Sequence, residues 1–481
     1  MKHQLALLAT TMTFGLAAHA KTTKIDESFL KKQLTKNSPT VQNIEANFLS
    51  LKLQESSVLD KFSYQVTGEA NYMKTSEKPF STFSPVTSPV KSASVGITRP
   101  TTLGMNFGVK GYSEQFSNNF VQNGTTTGIA VQFQMDLFKD FLGGLTRNQI
   151  EALEYGRQTG DIEKDIQTKA FYQELRKLYW KLVANQESLR LSEELLNSSK
   201  TQAEEARRRF KNNIADSGEV ARYESQVAAR KANIIALKFE KESLVQSLKQ
   251  LLPEIANDDI QLAPYNLNMT VLNVLACTAK IESYPSIPLE NTRYDEILNN
   301  LKLQYESQEK VTDRYNNIDV KLNTEYKKIG KEFNFSNSVD ELKNEGGNSV
   351  AVGLTINIPL DSKKSTTEEI QHLVEKKRFM AKQDEVNAKL TAYHTQVVKN
   401  IAFLQEIVKE QQINSQKLEH SLSVTKKKFN QARISVRELI NDQDAYLQSN
   451  LSEIQTKYNV IATLLDYLSV YTETPCALNN L

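Results

Sequence analysis

From Asp361 to Thr474 the chain contains neither glycine nor proline, and between Gly160 and Gly218 it is equally free of both. The residues that break or bend helices are missing from two very long stretches, which predicts helices longer than a compact domain uses. A helix from about Arg147 to Asn212 would be roughly 100 Å long at the usual rise per residue. Leu182, Leu189, Leu196, Ala203 and Phe210 recur every seven residues, and at a constant offset of 219 so do Ile401, Val408, Ser415, Leu422 and Phe429. A heptad rhythm in both stretches predicts coiled-coil packing.

The offset is general. "RRRFKNNIADSGEV" (207–220) and "KKKFNQARISVREL" (426–439) share three basic residues, a Phe, a short polar turn, then an acid. Ahead of each long helix lie runs that alternate apolar and polar residues. Tyr64, Val66, Gly68, Ala70 and Tyr72 form one, and Ile129, Val131, Phe133, Met135 and Leu137 a second. In the second half, Ile318, Val320, Leu322 and Tyr326 form a third, and Val350, Val352, Leu354, Ile356 and Ile358 a fourth. Period-two alternation predicts strands with one apolar and one polar face, which a half-buried soluble sheet would share. The chain therefore reads as two copies of one plan: helix, strand hairpin, long helix, turn, helix. Segments 76–89 and 334–347 read as loops joining strands. Residues 91–116 read as an extra hairpin of the first copy, either within the sheet or capping it.

The start, "MKHQLALLATTMTFGLAAHA", has a basic residue, a short apolar run and an A-x-A end, which predicts a cleaved secretory signal over residues 1–20. The first copy then covers 21–252, an irregular linker 253–288, the second copy 289–474 and a tail 475–481. With 59 basic and 57 acidic residues there is no charge excess to suggest nucleic acid. No remaining stretch is apolar enough to cross a bilayer as a helix, so any membrane contact would be made by strands.

Nothing in the sequence indicates an enzyme, a cofactor or a metal. There is no Gly-rich phosphate loop, no HExxH and no nucleophile elbow. His372, His394 and His420 have no ligand spacing, and Tyr172, Tyr179 and Trp180 read as packing. The basic runs 207–209 and 426–428 read as solvated helix faces or docking surfaces. The two cysteines, Cys277 and Cys476, form an even count, and oxidising surroundings favour their pairing. The repeat offset sets Leu251 and Val470 at equivalent helix ends, so Cys277 and Cys476 both follow at the same level.

The chain resembles the TolC-like outer-membrane efflux and secretion channels over its mature length. The carrying residues are "INIPLDSKKSTTEEI" (356–370), "FQMDLFKDFLGGLTRNQI" (133–150, with Met135-Asp136 where the family has Gln-Pro) and the paired turns, where an acid follows an aromatic by nine: Phe210 and Glu219, Phe429 and Glu438. The resemblance implies a mainly helical fold with strands, in which three chains share a 12-stranded membrane β-barrel continued by a periplasmic α-helical barrel. It implies apolar strand faces on lipid, with Glu69, Asn71, Gln132 and Gln134 towards a water-filled lumen. The implied function is a passive exit duct in the outer membrane of a Gram-negative bacterium, serving a tripartite efflux pump or a type I secretion system. Its partners would be a periplasmic adaptor and an inner-membrane transporter.

The resemblance also assigns roles at the turns. Asn213-Ile214 and Ala432-Arg433 fall where the adaptor docks; Asn tolerates a left-handed turn, whereas Ala432 fits one less well. In the family two acids one helical turn apart form a ring at the closed periplasmic entrance. Glu438 matches the first and Asn441 stands at the second. Phe429 lacks a hydroxyl to bond an acid, Ile434 and Gly218 replace a polar bridge, and Arg437 and Arg433 could reach Glu219 or Asp216. The rival readings are a periplasmic adaptor, which would carry one helical hairpin between Gly-rich lipoyl halves, and a secreted coiled-coil structural or adhesin protein.

Overall fold

A computed structural model describes residues 21–33, 38–81, 83–118, 120–282, 286–315, 318–358 and 363–471. The signal segment, Cys476 and the Pro359–Leu360 junction lie outside the described residues.

Along the chain come strand β1 (Thr22–Ile25), helices α1 (Glu27–Gln33) and α2 (Pro39–Leu59), and strands β2 (Gln65–Met73), β3 (Val90–Pro100), β4 (Met105–Phe116) and β5 (Gly124–Asp136). Helix α3 (Gly144–Lys211) turns back as α4 (Ser217–Leu251), followed by β6 (Asp259–Leu262) and α5 (Leu267–Ile281). The second copy holds α6 (Arg293–Tyr315), β7 (Asp319–Glu332), α7 (Phe335–Asn344), β8 (Gly347–Asn357), α8 (Lys363–Asn430) and α9 (Val436–Leu468). The longest helices are α3 and α8, each of 68 residues, and the glycine- and proline-free stretches cover α3 beyond Gly160 and the whole of α8 and α9. No described helix is long and apolar enough to cross a membrane.

Two compact units are each built from parts of both copies. The first holds the described residues up to Ile44, those within Ile166–Ile287 and those from Thr391 onward. The heptad positions Leu182, Leu189, Leu196, Ala203, Ile401, Ser415 and Leu422 are buried there. Helix α1 is fastened to α3 by a buried ion pair. Arg176 Nη2 donates to Glu27 Oε2 at 2.7 Å, and Trp180 Nε1 donates to Glu27 Oε1 at 2.6 Å. The linker is less irregular than expected. β6 pairs in parallel with β1, and α5 packs on α9. Asn266 caps α5, its side chain accepting from Met269 N at 3.0 Å. Pro253, Pro264 and Pro288 lie outside α5 rather than within it. Cys277, buried on α5, is disulfide-bonded.

The second unit, Glu45–Asp165 and Pro288–Leu390, contains one antiparallel sheet in the order β2-β3-β4-β5-β7-β8. The sheet has six strands, two more than the four counted from alternation, because residues 91–116 form β3 and β4 inside it. Three copies would carry eighteen strands, so the twelve-stranded barrel does not follow. Gly96, Gly104, Gly108 and Gly111 dilute the alternation in this hairpin, which is why its place was open. Segment 334–347 is also more than a loop. Asn334 caps α7 by accepting from Asn337 N at 2.9 Å, and α7 packs on β7 and β5. A side chain at Gly330 would collide with the α7 backbone there.

Candidate functional site: the helical tips and the two-faced sheet

Both tips are built in the same way. At the first, Asn213 N donates to Phe210 O (3.0 Å) and Ile214 N to Arg209 O (2.8 Å). At the second, Ala432 N donates to Phe429 O (2.8 Å) and Arg433 N to Lys428 O (2.9 Å). This pair of bonds is the Schellman closure, which needs a left-handed residue after the helix. Asn213 and Ala432 supply it, with φ of 59° and 56°. The returning helices are capped alike: Asp216 accepts from Glu219 N at 2.7 Å, and Ser435 from Glu438 N at 3.3 Å. Each acid at the third helical position thus also complements the positive helix end.

The tips differ in what their acids touch. Glu219 is half-buried and takes Arg209 Nη1 at 2.8 Å, while Glu438 is exposed and has no ion pair among the described residues. Arg437 and Arg433 are exposed and form no pair with Glu219 or Asp216. The partner of Glu219 comes instead from the incoming helix of its own hairpin. Asn441 is exposed. Asp442 faces α8, accepting from Ser421 (3.1 Å) and Thr425 (2.6 Å).

Phe429 joins the two hairpins. Its ring meets the buried Tyr223 edge-on at 6.4 Å, and the Arg209 guanidinium lies 5.9 Å from its centre. Ala203, Ala206 and Val436 complete this small core. One side chain, Arg209, therefore holds both Glu219 and the aromatic of the opposite hairpin. Further along, Gln226 Nε2 donates to Gln443 Oε1 at 3.1 Å and Arg230 Nη2 to Asp444 Oδ1 at 3.2 Å. Arg230 is 4% exposed, and burial lowers its pKa. Sequence reading missed Tyr223, Gln226, Arg230, Gln443 and Asp444, and named Arg209 only as part of a solvated or docking basic run. Their pattern is that of an ordinary polar helix face.

The sheet separates its chemistry by face. Tyr64, Val66, Val95, Ile97, Phe107, Val109, Val131, Tyr326, Val350 and Val352 share one face through the pairing register, and all are exposed. The other face carries Glu69, Asn71, Lys110, Gln132, Gln134 and Glu325. In β3 the apolar-face positions are exposed while their neighbours are half-buried, as on the convex and concave sides of a curved wall. Polar groups on the concave side bond across strands: Lys110 to Glu69 (3.4 Å) and Gln132 Nε2 to Glu325 Oε1 (2.9 Å). Tyr112 lies over Gly128, where any side chain would collide with its ring.

No protein-family model matches the chain, and no curated protein matches it in sequence. Solved structures match over nearly the whole length. The CmeC outer membrane channel of Campylobacter jejuni aligns at TM-score 0.66 and 12% identity, covering 92% of this chain and 85% of its own. The outer membrane protein VceC of Vibrio cholerae aligns at 0.66 and 14%, covering 93% and 97%. The open state of the MtrE outer membrane channel of Neisseria gonorrhoeae aligns at 0.61 and 13%, covering 94% and 89%. The chain has a TolC-like fold. Within that fold the doubled motif forms the turns of two helical hairpins, and the two-faced sheet is a separate element of the same chain.

His394 is buried and bonds Tyr467 Oη at 2.8 Å, and His372 stacks on Tyr305 at 5.1 Å. Among the described residues, no three His, Cys, Asp or Glu side chains group to hold a metal ion.

Proposed function

We propose that the protein is a passive exit duct of the outer membrane of a Gram-negative bacterium. It works as a homotrimer with a periplasmic adaptor and an inner-membrane transporter, in efflux or type I secretion. The observation that carries this reading is the two-faced sheet. An exposed apolar convex face is costly in water and favourable in lipid, while the concave face offers ions and amides to an aqueous lumen. Strands of nine to fourteen residues are long enough to cross a bilayer when tilted. Tyr64 and Arg99 (3.0 Å between Oη and Nη1) sit at the helix-side end of the apolar face, where aromatic and basic groups suit a membrane interface.

The tips then form the periplasmic mouth. The adaptor docks on Asn213-Ile214 and Ala432-Arg433, all exposed, and Glu438 faces the closing axis beside Asn441. Arg209, Glu219 and Phe429 hold the two hairpins together in the closed state, with Arg437 free to meet a partner. Energy comes from the transporter. Cys277 pairs with Cys476, so the unreduced, denatured chain should show no free thiol.

Membrane fractionation with heat-modifiability tests the reading. The protein should enter the outer-membrane fraction and migrate as a trimer unless boiled. Recovery as a water-soluble periplasmic protein would refute it.

A further inference from the structure

Among the described residues, strands β3 and β4 have no counterpart in the second copy, where β7 passes to β8 through α7. They are nevertheless full members of the sheet. β3 pairs with β2 from Val90 to Thr98, and β4 with β5 from Met105 to Phe116. Their faces alternate in phase with their neighbours. Val95, Ile97 and Val109 continue the apolar convex face, while Ser94, Thr98 and Lys110 continue the polar one. A hairpin lying outside the wall would have no reason to keep this phase.

The turn between them is built into the strand-to-helix junction. Gly104 O accepts from Asp136 N at 3.0 Å. Gly104 and Gly143, with φ of 70° and 72°, are close enough to Asp140 and Thr102 that any side chain at either would collide with backbone. Asp140 in turn caps α3, accepting from Leu145 N and Thr146 N at 2.8 and 2.9 Å. The extra hairpin is therefore tied to the residues that start the long helix.

The sheet ends on β2 and β8, neither of which has a second strand neighbour among the described residues. An open edge is not tolerated in lipid. With an even number of strands, β2 and β8 run in opposite directions, so β2 of one copy can pair antiparallel with β8 of the next. We propose that three copies close a barrel of eighteen strands through these edges. This rests on the trimeric duct proposed above and adds the width of its exit. Barrel diameter grows roughly linearly with strand number, so the exit is about 1.5 times as wide as a twelve-stranded one. Eighteen strands fall in the range that leaves an aqueous channel. The helical hairpins remain two per chain, so the added width belongs to the outer barrel alone and the tips set the size limit on cargo.

The test is single-cysteine labelling of the full-length trimer in proteoliposomes with a water-soluble maleimide, together with its mass in detergent. Val95→Cys and Ile97→Cys should lose labelling, whereas Ser94→Cys and Thr98→Cys label, and the mass should be that of three chains. Val350→Cys and Ser349→Cys in β8 serve as the reference pair. Three chains with both faces of β3 labelled, but β8 alternating, would put the hairpin outside the wall and overturn the proposal. Two chains with β3 alternating would mean a twelve-stranded dimer and overturn it equally. Labelling on both faces of β8 as well would mean that no strand meets lipid, and the duct reading itself would fall.

Discussion

Asn213 and Ala432 stand 219 residues apart and hold the same left-handed backbone, with φ of 59° and 56°. The closure is the same, but the side chains are not equally suited to it. An alanine in this region is strained by roughly 1 kcal/mol, a cost glycine does not carry. Ala432→Gly is expected to stabilise the second tip by about that amount. Slower hydrogen exchange at the amides of Ala432 and Arg433 would register it, while Ala432→Val should speed the same exchange.

Glu438 is the exposed acid of the second tip, held at its backbone by the Ser435 cap. Three such carboxylates round one axis would attract cations and let divalent ions block the pore. Glu438→Ala should weaken cation selectivity and divalent blockade in planar bilayers. If both persist in intact trimers, the constriction lies elsewhere.

Arg176 and Glu27 form a buried ion pair that fastens α1 to α3. Removing one partner leaves an uncompensated buried charge, which typically costs about 3–5 kcal/mol. Glu27→Ala should lower the denaturation midpoint, followed by helical circular dichroism, by a corresponding amount. Replacing Arg176 by Met in the same chain should restore part of that loss.

Several tyrosines of the helical unit are held neutral by burial. For Tyr179, burial, helped by Glu27 and Asp26, raises the phenol from 10.0 to about 12. A folded-state value above the unfolded one gives stability that is complete below pH 10 and is lost as pH rises towards 12. Thermal melts should stay level up to pH 10.0 and fall as pH rises towards about 12, and Tyr179→Phe should make the fall shallower.

The long helices were legible because proline is absent from them and glycine from α8, α9 and the larger part of α3, and the tips because a turn and a cap are local events within a dozen residues. Where glycine interrupts alternation, as in residues 91–116, a strand and a loop look alike from sequence, and only cross-strand pairing decides. Helix α7 was hidden by its Asn- and Ser-rich start, which is also its cap. The contacts of Arg209 were not legible. Its partners Glu219 and Phe429 lie across a turn and on another hairpin, and a run of three arginines otherwise resembles a solvated face. Arg230 was hidden for the same reason: its burial depends on a helix more than two hundred residues away.

The central claim is a duct whose periplasmic mouth is held shut by contacts between the two hairpins, and single-channel conductance in a planar lipid bilayer tests it most directly. The native protein, assembled as the proposed trimer, should show a small, discrete conductance. Arg209→Ala, which frees Glu219 and uncovers Phe429, should raise that conductance several-fold while leaving the trimer intact. Trimers that insert yet conduct nothing, in the native and the Arg209→Ala forms alike, would contradict the account.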